Sequence, residues 1–270
     1  MTKIGIIAGD GNLPLYIGKS LLSLKYDVIF LSLNNKNNKF YNNYNAINID
    51  ILSIKKIFKV LDSNKVKNII FAGSIKRPGI KDLGFDMPTF LLAKNLLLEK
   101  KGDNNLLVSL KKYFETKGYI FFDWTKFCKD LFSTETNLTK IKPSKNAILN
   151  LKKAKSIYQI YKKLDVGQAM IIQNQLVLGL EAIEGTDELL KRCLEYKRKN
   201  DNGVLFKFSK QNQSNLIDIP LIGLDTIKKL KKYNYDGVYL QKNKCLILDK
   251  KKIIDYANEN NLFISSVDLN

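Results

Sequence analysis

The amino-acid sequence predicts an α/β protein of two domains, with a Rossmann-like parallel sheet in the first and a mixed sheet in the second. Short apolar runs alternate with longer amphipathic segments in the first half, as in βαβ units with right-handed crossovers. A polar stretch without hydrophobic period predicts a linker at 133–146, between domains at 1–132 and 147–270. Two apolar runs that meet at Gln173-Asn174-Gln175 predict a β-hairpin, which makes the second sheet mixed.

The first domain is expected to begin with a strand buried on both faces, because residues 4–9 are almost wholly apolar. Pro14 suits the first position of the next helix, because an N–H at that position makes no hydrogen bond within the helix and proline lacks one. Gly102 can end one later helix and Asp103 can cap another. The predicted elements are strand 4–9, helix 14–26, strand 27–33, a polar loop at 34–48, helix 53–61, strand 66–72, helices within 86–117 and strand 118–123.

A long amphipathic helix opens the second domain, and its apolar residues from Ile148 to Leu164 recur at the spacing of a core face. Thr186 or Asp187 can cap a helix that ends near residue 199. The apolar run 216–220 predicts a strand that carries one carboxylate, Asp218. The other predicted elements are strand 204–208, helix 225–233, a hairpin of 237–240 with 245–248, helix 250–260 and strand 262–267.

The composition restricts the chemistry that this chain can perform. It contains no histidine, which excludes Ser-His-Asp and Cys-His catalysis, His-containing zinc sites and Asp/His di-metal phosphoesterase sites. Carboxylates, lysines, hydroxyls and backbone groups remain, and Mg²⁺ is the cation that suits such oxygen ligands. The three cysteines are far apart, which favours free thiols in a reducing compartment.

A formal charge of +19 allows two interpretations. It is either a drift toward lysine over the whole surface or an attraction to polyanions such as nucleic acid, an anionic bilayer or a phosphorylated substrate. The basic residues are spread along the chain without a nucleic-acid-binding motif, so no nucleic-acid function is expected. The chain starts with a strand and lacks a run of about 20 apolar residues, so we expect a cytoplasmic protein without signal peptide or membrane span.

Small residues mark a candidate ligand site in the first domain. Gly9-x-Gly11 follows the first strand, but Pro14 replaces the third glycine of a dinucleotide motif. The second strand also ends without the acid that binds a ribose, so a nicotinamide enzyme is not expected. Ala72 and Gly73 end a parallel strand beside this turn, where open α/β sheets bind ligands.

Carboxylates mark a second candidate site in the other domain. Asp165 precedes the predicted hairpin, and Glu184 and Asp187 follow it. Whether Asp187 only caps a helix and Asp165 only belongs to a turn stays open. Asp218 is the stronger candidate, because a carboxylate within an apolar strand is costly unless it is compensated.

Six motifs then resemble those of one family in their order and spacing. They are Ile6-Ile-Ala-Gly-Asp-Gly-Asn-Leu-Pro14, Phe71-Ala-Gly-Ser-Ile-Lys-Arg-Pro78, Lys101-Gly-Asp-Asn104, Leu164-Asp-Val-Gly-Gln168, Glu181-Ala-Ile-Glu-Gly-Thr-Asp187 and Asp218-Ile-Pro-Leu-Ile-Gly223. Over essentially its whole length the chain is similar to the LpxI-type UDP-2,3-diacylglucosamine pyrophosphatases.

The resemblance implies an Mg²⁺-dependent enzyme of lipid A biosynthesis, with its active site in the cleft between two domains. It would hydrolyse UDP-2,3-diacylglucosamine to UMP and 2,3-diacylglucosamine 1-phosphate (lipid X) as a peripheral protein on the cytoplasmic face of the inner membrane, and it could form a homodimer. Asp218 is the implied catalytic residue, as metal ligand or general base, and Asp187 the second metal ligand. The implied substrate contacts are Gly11, Ala72, Gly73, Lys163, Leu164, Asp165 and Asp187.

Two positions depart from the family pattern, and two rival functions stay open. Asp10 stands where a glycine or other small residue is expected, and Lys142 where a serine is expected. One rival is a basic module that binds nucleic acid or anionic membrane without catalysis, with an affinity that falls steeply with salt. The other is a nucleotide-dependent oxidoreductase or transferase, which would bind a redox or donor cofactor.

Overall fold

In the computed structural model of the chain, the described residues form two α/β units, in agreement with the predicted fold class. The first unit comprises Met1–Lys129 with Ser214–Asp218, and the second comprises Asp130–Gln213 with Ile219–Asn270. The structure describes residues 1–33, 41–49, 53–74, 103–164, 166–210, 216 and 218–269, and only the backbone of 103–107. The helix predicted within 86–100 lies outside the described residues.

The first unit contains a parallel sheet in the strand order β3-β2-β1-β4-β5. The strands are β1 (Lys3–Ala8), β2 (Asp27–Ser32), β3 (Ala46–Asn48), β4 (Asn68–Ala72) and β5 (Ile120–Phe121). β1 and β2 are buried along almost their whole length, as their apolar runs predict. β3 falls within the predicted loop, because three residues at an exposed edge carry too little hydrophobic pattern to be recognised. The strand order reverses between β1 and β4, which is where open α/β sheets bind ligands.

Helices cover this sheet and shape the core beside it. They are α1 (Leu13–Ser23), α2 (Ile54–Ser63) and α3 (Asp103–Thr116), and two 3₁₀ turns follow in the chain at Trp124–Phe127 and Lys129–Leu131. Pro14 is the second residue of α1, one position later than predicted, and still lies in the first turn, where its missing N–H costs no helical hydrogen bond. α1 is shorter than predicted because Lys25 adopts a left-handed conformation with φ of 62°.

The second unit contains a mixed sheet in the order β12-β10-β8-β6-β7. β8, β10 and β12 are parallel to each other, whereas β6 is antiparallel to both β8 and β7. The strands are β6 (Ala169–Gln173), β7 (Leu176–Leu180), β8 (Val204–Lys207), β10 (Gly237–Gln241) and β12 (Phe263–Val267), and β9 (Leu221–Ile222) and β11 (Leu246–Ile247) pair separately. The predicted hairpin of β6 and β7 is confirmed. Asn174 and Gln175 form its turn with φ of 49° and 60°, the two left-handed residues of a type I′ turn.

Two predictions about strands in this half are wrong. Asp218 lies in a bend with φ of 61°, and strand β9 begins at Leu221, after Pro220. The apolar run at 216–220 therefore does not form the expected strand, since proline and a left-handed residue interrupt it. The expected hairpin of 237–240 with 245–248 does not form either. β10 is paired on both edges by β8 and β12, so β11 pairs with β9 instead.

The helices of the second unit cover both faces of its sheet. They are α4 (Lys145–Tyr161), α5 (Thr186–Arg192), α6 (Leu224–Lys232) and α7 (Lys250–Glu259). The side chain of Ser144 caps α4 by accepting from Ala147 N. Ile148 and Leu164, expected in the core, are 47% and 49% exposed, whereas Tyr161 is buried.

The segment at 133–146, expected to be a linker, makes backbone hydrogen bonds within the second unit. Ser133 N donates to Cys245 O at 2.9 Å, and Leu138 N donates to Ile264 O at 3.0 Å. Leu138 is accordingly buried in the core of this unit. Across the described ranges, we find no helix with both the length and the apolar character needed to cross a membrane.

Candidate functional site

In the first unit, the loops after β1 and β4 are joined by their backbones. Asp10 N donates to Ser74 O at 2.6 Å, and Ser74 N donates to Asp10 O at 2.9 Å. Gly9 N also donates to Ala72 O at 2.9 Å. Gly73 has φ of 87°, and a Cβ there would lie 2.6 Å from Asp10 O, so no other residue fits without movement.

Three predicted ligand contacts therefore lie at one end of the first sheet. Gly11 is exposed with φ of 91°, and no atom lies within 4 Å of the place where its Cβ would stand. Ala72 is buried, with 7% of its surface exposed, and its carbonyl already accepts from Gly9 N. The loops of Gly11 and Gly73 flank the point where the strand order reverses, which is where open α/β sheets bind ligands.

In the second unit, Glu181 joins the two ends of the hairpin. Its carboxylate accepts from Gln168 N at 2.7 Å and from Thr186 Oγ1 at 2.7 Å. Its carbonyl accepts from Gly167 N at 3.0 Å and from Tyr161 Oη at 3.0 Å. Burial and the nearby acid Glu181 raise the pKa of Tyr161, so its hydroxyl stays protonated and donates. Sequence reasoning missed Glu181, although it follows an apolar strand directly.

Gly167 is required by this arrangement, because a Cβ would lie 2.4 Å from Glu181 Cγ and 2.6 Å from its carbonyl oxygen. Just before it, Lys163 and Leu164 form an exposed turn after α4. Leu164 N donates to Tyr161 O at 2.9 Å, which connects this turn to the Glu181 contacts. The structure thus places Lys163 and Leu164 near the open end of the β6–β7 hairpin, opposite its turn (hereafter the hairpin end). Asp165 lies outside the described residues.

Asp187 lies within α5 but its side chain contacts α6. Thr226 Oγ1 donates to Asp187 Oδ1 at 2.9 Å, and Lys229 Nζ donates to Asp187 Oδ2 at 2.6 Å. The hydrogen bond to Asp187 raises the pKa of Lys229. The N-cap of α5 is Gly185 rather than Asp187. Thr226 and Lys229 are both residues that sequence reasoning missed, and nothing in the sequence separates Lys229 from many other lysines.

Glu184, the other predicted carboxylate of the hairpin end, pairs with a cation of α5. Arg192 Nη2 and Nε donate to its Oε1 at 2.8 and 3.0 Å. Burial acts to raise the pKa of Glu184, but the hydrogen bonds from Arg192 outweigh it and hold the pKa below its usual value. Glu184 therefore forms an ion pair with Arg192 in this structure.

Asp218 is exposed and belongs to the segment grouped with the first unit. Asp218 is therefore not the buried strand carboxylate that the apolar run predicts, because it is an exposed residue in a bend. Its left-handed backbone is uncommon for a residue other than glycine, although aspartate tolerates it better than most. Such conformations concentrate at functional sites.

The described carboxylates differ in how well they fit a magnesium ion. Within the part of the chain that the structure describes, no group of three or more acids or cysteines could hold a metal. Mg²⁺ often takes only one or two carboxylates, with substrate phosphates as further ligands, and the exposed Asp218 suits this arrangement. Asp187 fits less readily, since both of its oxygens already accept from Thr226 and Lys229.

Comparison with known proteins covers nearly the whole chain. Family profiles described as the LpxI N-terminal domain and the LpxI C-terminal domain match residues 3–131 and 134–265. The UDP-2,3-diacylglucosamine pyrophosphatase LpxI of Caulobacter vibrioides is 27% identical over 275 residues, which cover 99% of this chain and 98% of that protein. The two matches follow each other in the order expected for the two domains of one protein, so the chain belongs to the LpxI family.

Proposed function

We propose that this chain hydrolyses the pyrophosphate bond of UDP-2,3-diacylglucosamine in lipid A biosynthesis, releasing UMP and 2,3-diacylglucosamine 1-phosphate. The observation that carries the proposal is the end-to-end similarity to a pyrophosphatase of that name. The absence of histidine supports it, because this hydrolysis can be performed with carboxylates, backbone groups and a hard cation.

The substrate carries two negative charges at the bond to be broken, so the protein must offset them and orient a water molecule. Bound Mg²⁺ would supply positive charge and polarise the phosphate oxygens. The exposed Asp218 carboxylate is the proposed ligand of this ion, or the base that accepts a proton from the attacking water. In the first unit, the backbones at Gly11, Ala72 and Gly73 are proposed to bind the substrate closely.

In the second unit, the proposed substrate contacts are Lys163, Leu164, Asp165 and Asp187. Glu181 holds the two ends of the hairpin together through hydrogen bonds with Gln168, Thr186 and Tyr161, and Lys163, Leu164 and Asp187 are close in sequence to these contacts. The role of Asp187 as a second magnesium ligand stays a prediction. Its ion pair with Lys229 supports a different role, the positioning of the lysine ammonium.

Hydrolysis can be tested with purified protein and UDP-2,3-diacylglucosamine in detergent micelles, by measuring UMP. We expect UMP release with Mg²⁺ and loss of activity when EDTA removes the ion. Asp218→Asn should lower kcat by about 10²- to 10⁴-fold, the range for a residue that handles a proton or organises charge. Asp225 is also an exposed acid but lies in the first turn of α6, and Asp225→Asn should retain activity.

Three outcomes separate the alternatives. A folded wild-type protein that releases no UMP but binds anionic vesicles would favour the basic binding module instead. Full activity in Asp218→Asn would remove the catalytic assignment while leaving the reaction in place. Activity that is unchanged in EDTA would contradict the dependence on Mg²⁺.

We also propose that the protein works as a peripheral protein on the cytoplasmic face of the inner membrane. Exposed apolar side chains accompany the hairpin end of the second unit: Ile160 is 71% exposed, Leu164 49%, Val166 37% and Ile183 82%. Lys163 is exposed beside them. Apolar side chains with neighbouring lysines suit an anionic bilayer surface.

Co-sedimentation with vesicles tests this surface. Vesicles that contain phosphatidylglycerol should bind the protein better than vesicles of phosphatidylcholine alone, and Ile183→Ser should weaken the binding. Ile148→Ser provides a matched control, because Ile148 is 47% exposed at the opposite end of α4. Equal losses in both variants would contradict the assigned surface. A homodimer also stays a prediction, which analytical ultracentrifugation would test.

A further inference from the structure

We propose that Lys229 binds a phosphate group of the substrate and that Asp187 is the positioning residue for its ammonium. The inference rests on the function proposed above and assigns Asp187 a role other than metal ligation. Both residues belong to the second unit, where α5 carries Asp187 and α6 carries Lys229.

The carboxylate of Asp187 is held at both oxygens by one face of α6. Thr226 and Lys229 are three residues apart on this helix, so their side chains lie on the same face. Thr226 Oγ1 is 2.9 Å from Oδ1 and Lys229 Nζ is 2.6 Å from Oδ2. Two donors on two different oxygens fix the orientation of the carboxylate, which in turn fixes the ammonium.

The ammonium remains accessible while it is held. The side chains of Lys229 and Asp187 are 34% and 38% exposed, so the pair is in contact with solvent. An ammonium has three donor protons, and Asp187 accepts one of them. A lysine held in this way can offer a fixed positive charge to a phosphate oxygen.

Charge explains why Asp187 needs such a partner. A bare carboxylate beside a doubly charged pyrophosphate would repel it, so a cation must lie between the two groups. A magnesium ion could serve, but the structure already provides Lys229 at hydrogen-bonding distance. The family resemblance implies that Asp187 contacts the substrate. Through Lys229, Asp187 would influence phosphate binding indirectly, by holding the ammonium in place.

The first experiment measures substrate binding without metal. UDP-2,3-diacylglucosamine in micelles is titrated into Asp218→Asn protein with EDTA, where turnover is blocked, and heat is measured. Lys229→Met in this background should weaken binding by about 10- to 100-fold, the range for a lost hydrogen bond to a charged group. Lys229→Arg should restore most of the affinity. Lys228→Met, which removes the same charge from an exposed neighbouring lysine, should leave the affinity unchanged.

The second experiment asks whether Asp187 acts through Lys229. In the background with Asp218 intact, Asp187→Asn and Lys229→Met are measured singly and together for kcat, KM and half-saturating Mg²⁺. We expect the double variant to be no worse than Lys229→Met and the Mg²⁺ requirement to be unchanged in all three. Circular dichroism spectra check that each variant is folded.

Two results would overturn the proposal. One is unchanged metal-free binding in a folded Lys229→Met protein. The other is a large rise in half-saturating Mg²⁺ for Asp187→Asn alone, which would make Asp187 a metal ligand. Failure of the proposed function is distinguishable, because in that case the wild-type protein itself would release no UMP.

Discussion

Replacing Gly167 by alanine should destabilise the second unit, because the backbone there passes too close to Glu181 for any side chain. The added Cβ would lie 2.4 Å from Cγ, 2.5 Å from Cβ and 2.6 Å from the carbonyl oxygen of Glu181. Relief requires the two strands to separate, which lengthens two hydrogen bonds: Gly167 N to the Glu181 carbonyl and Gln168 N to its carboxylate. A neutral bond contributes about 0.5–1.5 kcal/mol and a bond to a charged group about 1.5–3 kcal/mol. We therefore expect the free energy of unfolding to fall by about 2–4.5 kcal/mol.

Urea unfolding followed by far-UV circular dichroism measures this change. The single tryptophan, Trp124, is buried in the first unit, so its fluorescence transition monitors that unit separately. Gly223→Ala is a matched control, because no atom lies within 4 Å of the Cβ it would add. Gly223 is the N-cap of α6, where alanine is a poorer cap than glycine, so the control should lose no more than about 1 kcal/mol. If Gly167→Ala unfolds at the same urea concentration as the control, the close approach to Glu181 does not restrict position 167 to glycine.

Three further predictions concern a glycine, the thiols and one ion pair. Gly73→Ala would place a side chain at a left-handed φ and against Asp10 O. The unfolding free energy should therefore fall by about 1–3 kcal/mol, and the KM for substrate should rise. An unchanged urea midpoint would refute this prediction. Burial raises the pKa of Cys245 to about 12, and all three cysteines are buried, so 5,5′-dithiobis(2-nitrobenzoate) at pH 8 should label three thiols in urea but almost none in folded protein. Rapid labelling of folded protein would contradict it. Arg192 keeps the folded-state pKa of Glu184 low, so wild type should be more stable than Glu184→Gln at pH 7. This difference in unfolding free energy should disappear as pH falls below about 4. An equal difference at pH 3 would exclude the linkage.

The sequence predicts elements well where one local pattern decides the structure. β1 and β2 are continuous apolar runs, and the β6–β7 hairpin has a two-residue turn of residues that tolerate left-handed conformations. The failures occur where distant partners decide. β10 takes both neighbours from remote strands, so proximity in sequence does not make β11 its partner. Asp218 leaves the expected strand through a backbone angle that the apolar run does not reveal.

The candidate site divides in the same way. Gly11 and Gly73 can be recognised as candidates because glycine beside a strand end signals a tight backbone. Lys229 cannot, because 45 basic residues give no reason to choose it. Its importance arises only when the packing of α5 against α6 brings it to Asp187. Glu181 is the first residue of the motif at 181–187, but its four hydrogen-bond donors come from segments before and after the hairpin.

The backbone bridge between the loops of β1 and β4 has a consequence for sequence variation. Asp10 and Ser74 hold each other through main-chain atoms, so the geometry of the loops does not require particular side chains at these two positions. An aspartate can therefore replace a smaller residue at position 10 during evolution while the loop keeps its shape. Gly73 has no such freedom, because the same bridge brings the backbone of Asp10 against it. We expect lineages of this family to diverge at 10 and 74 while retaining glycine at 73.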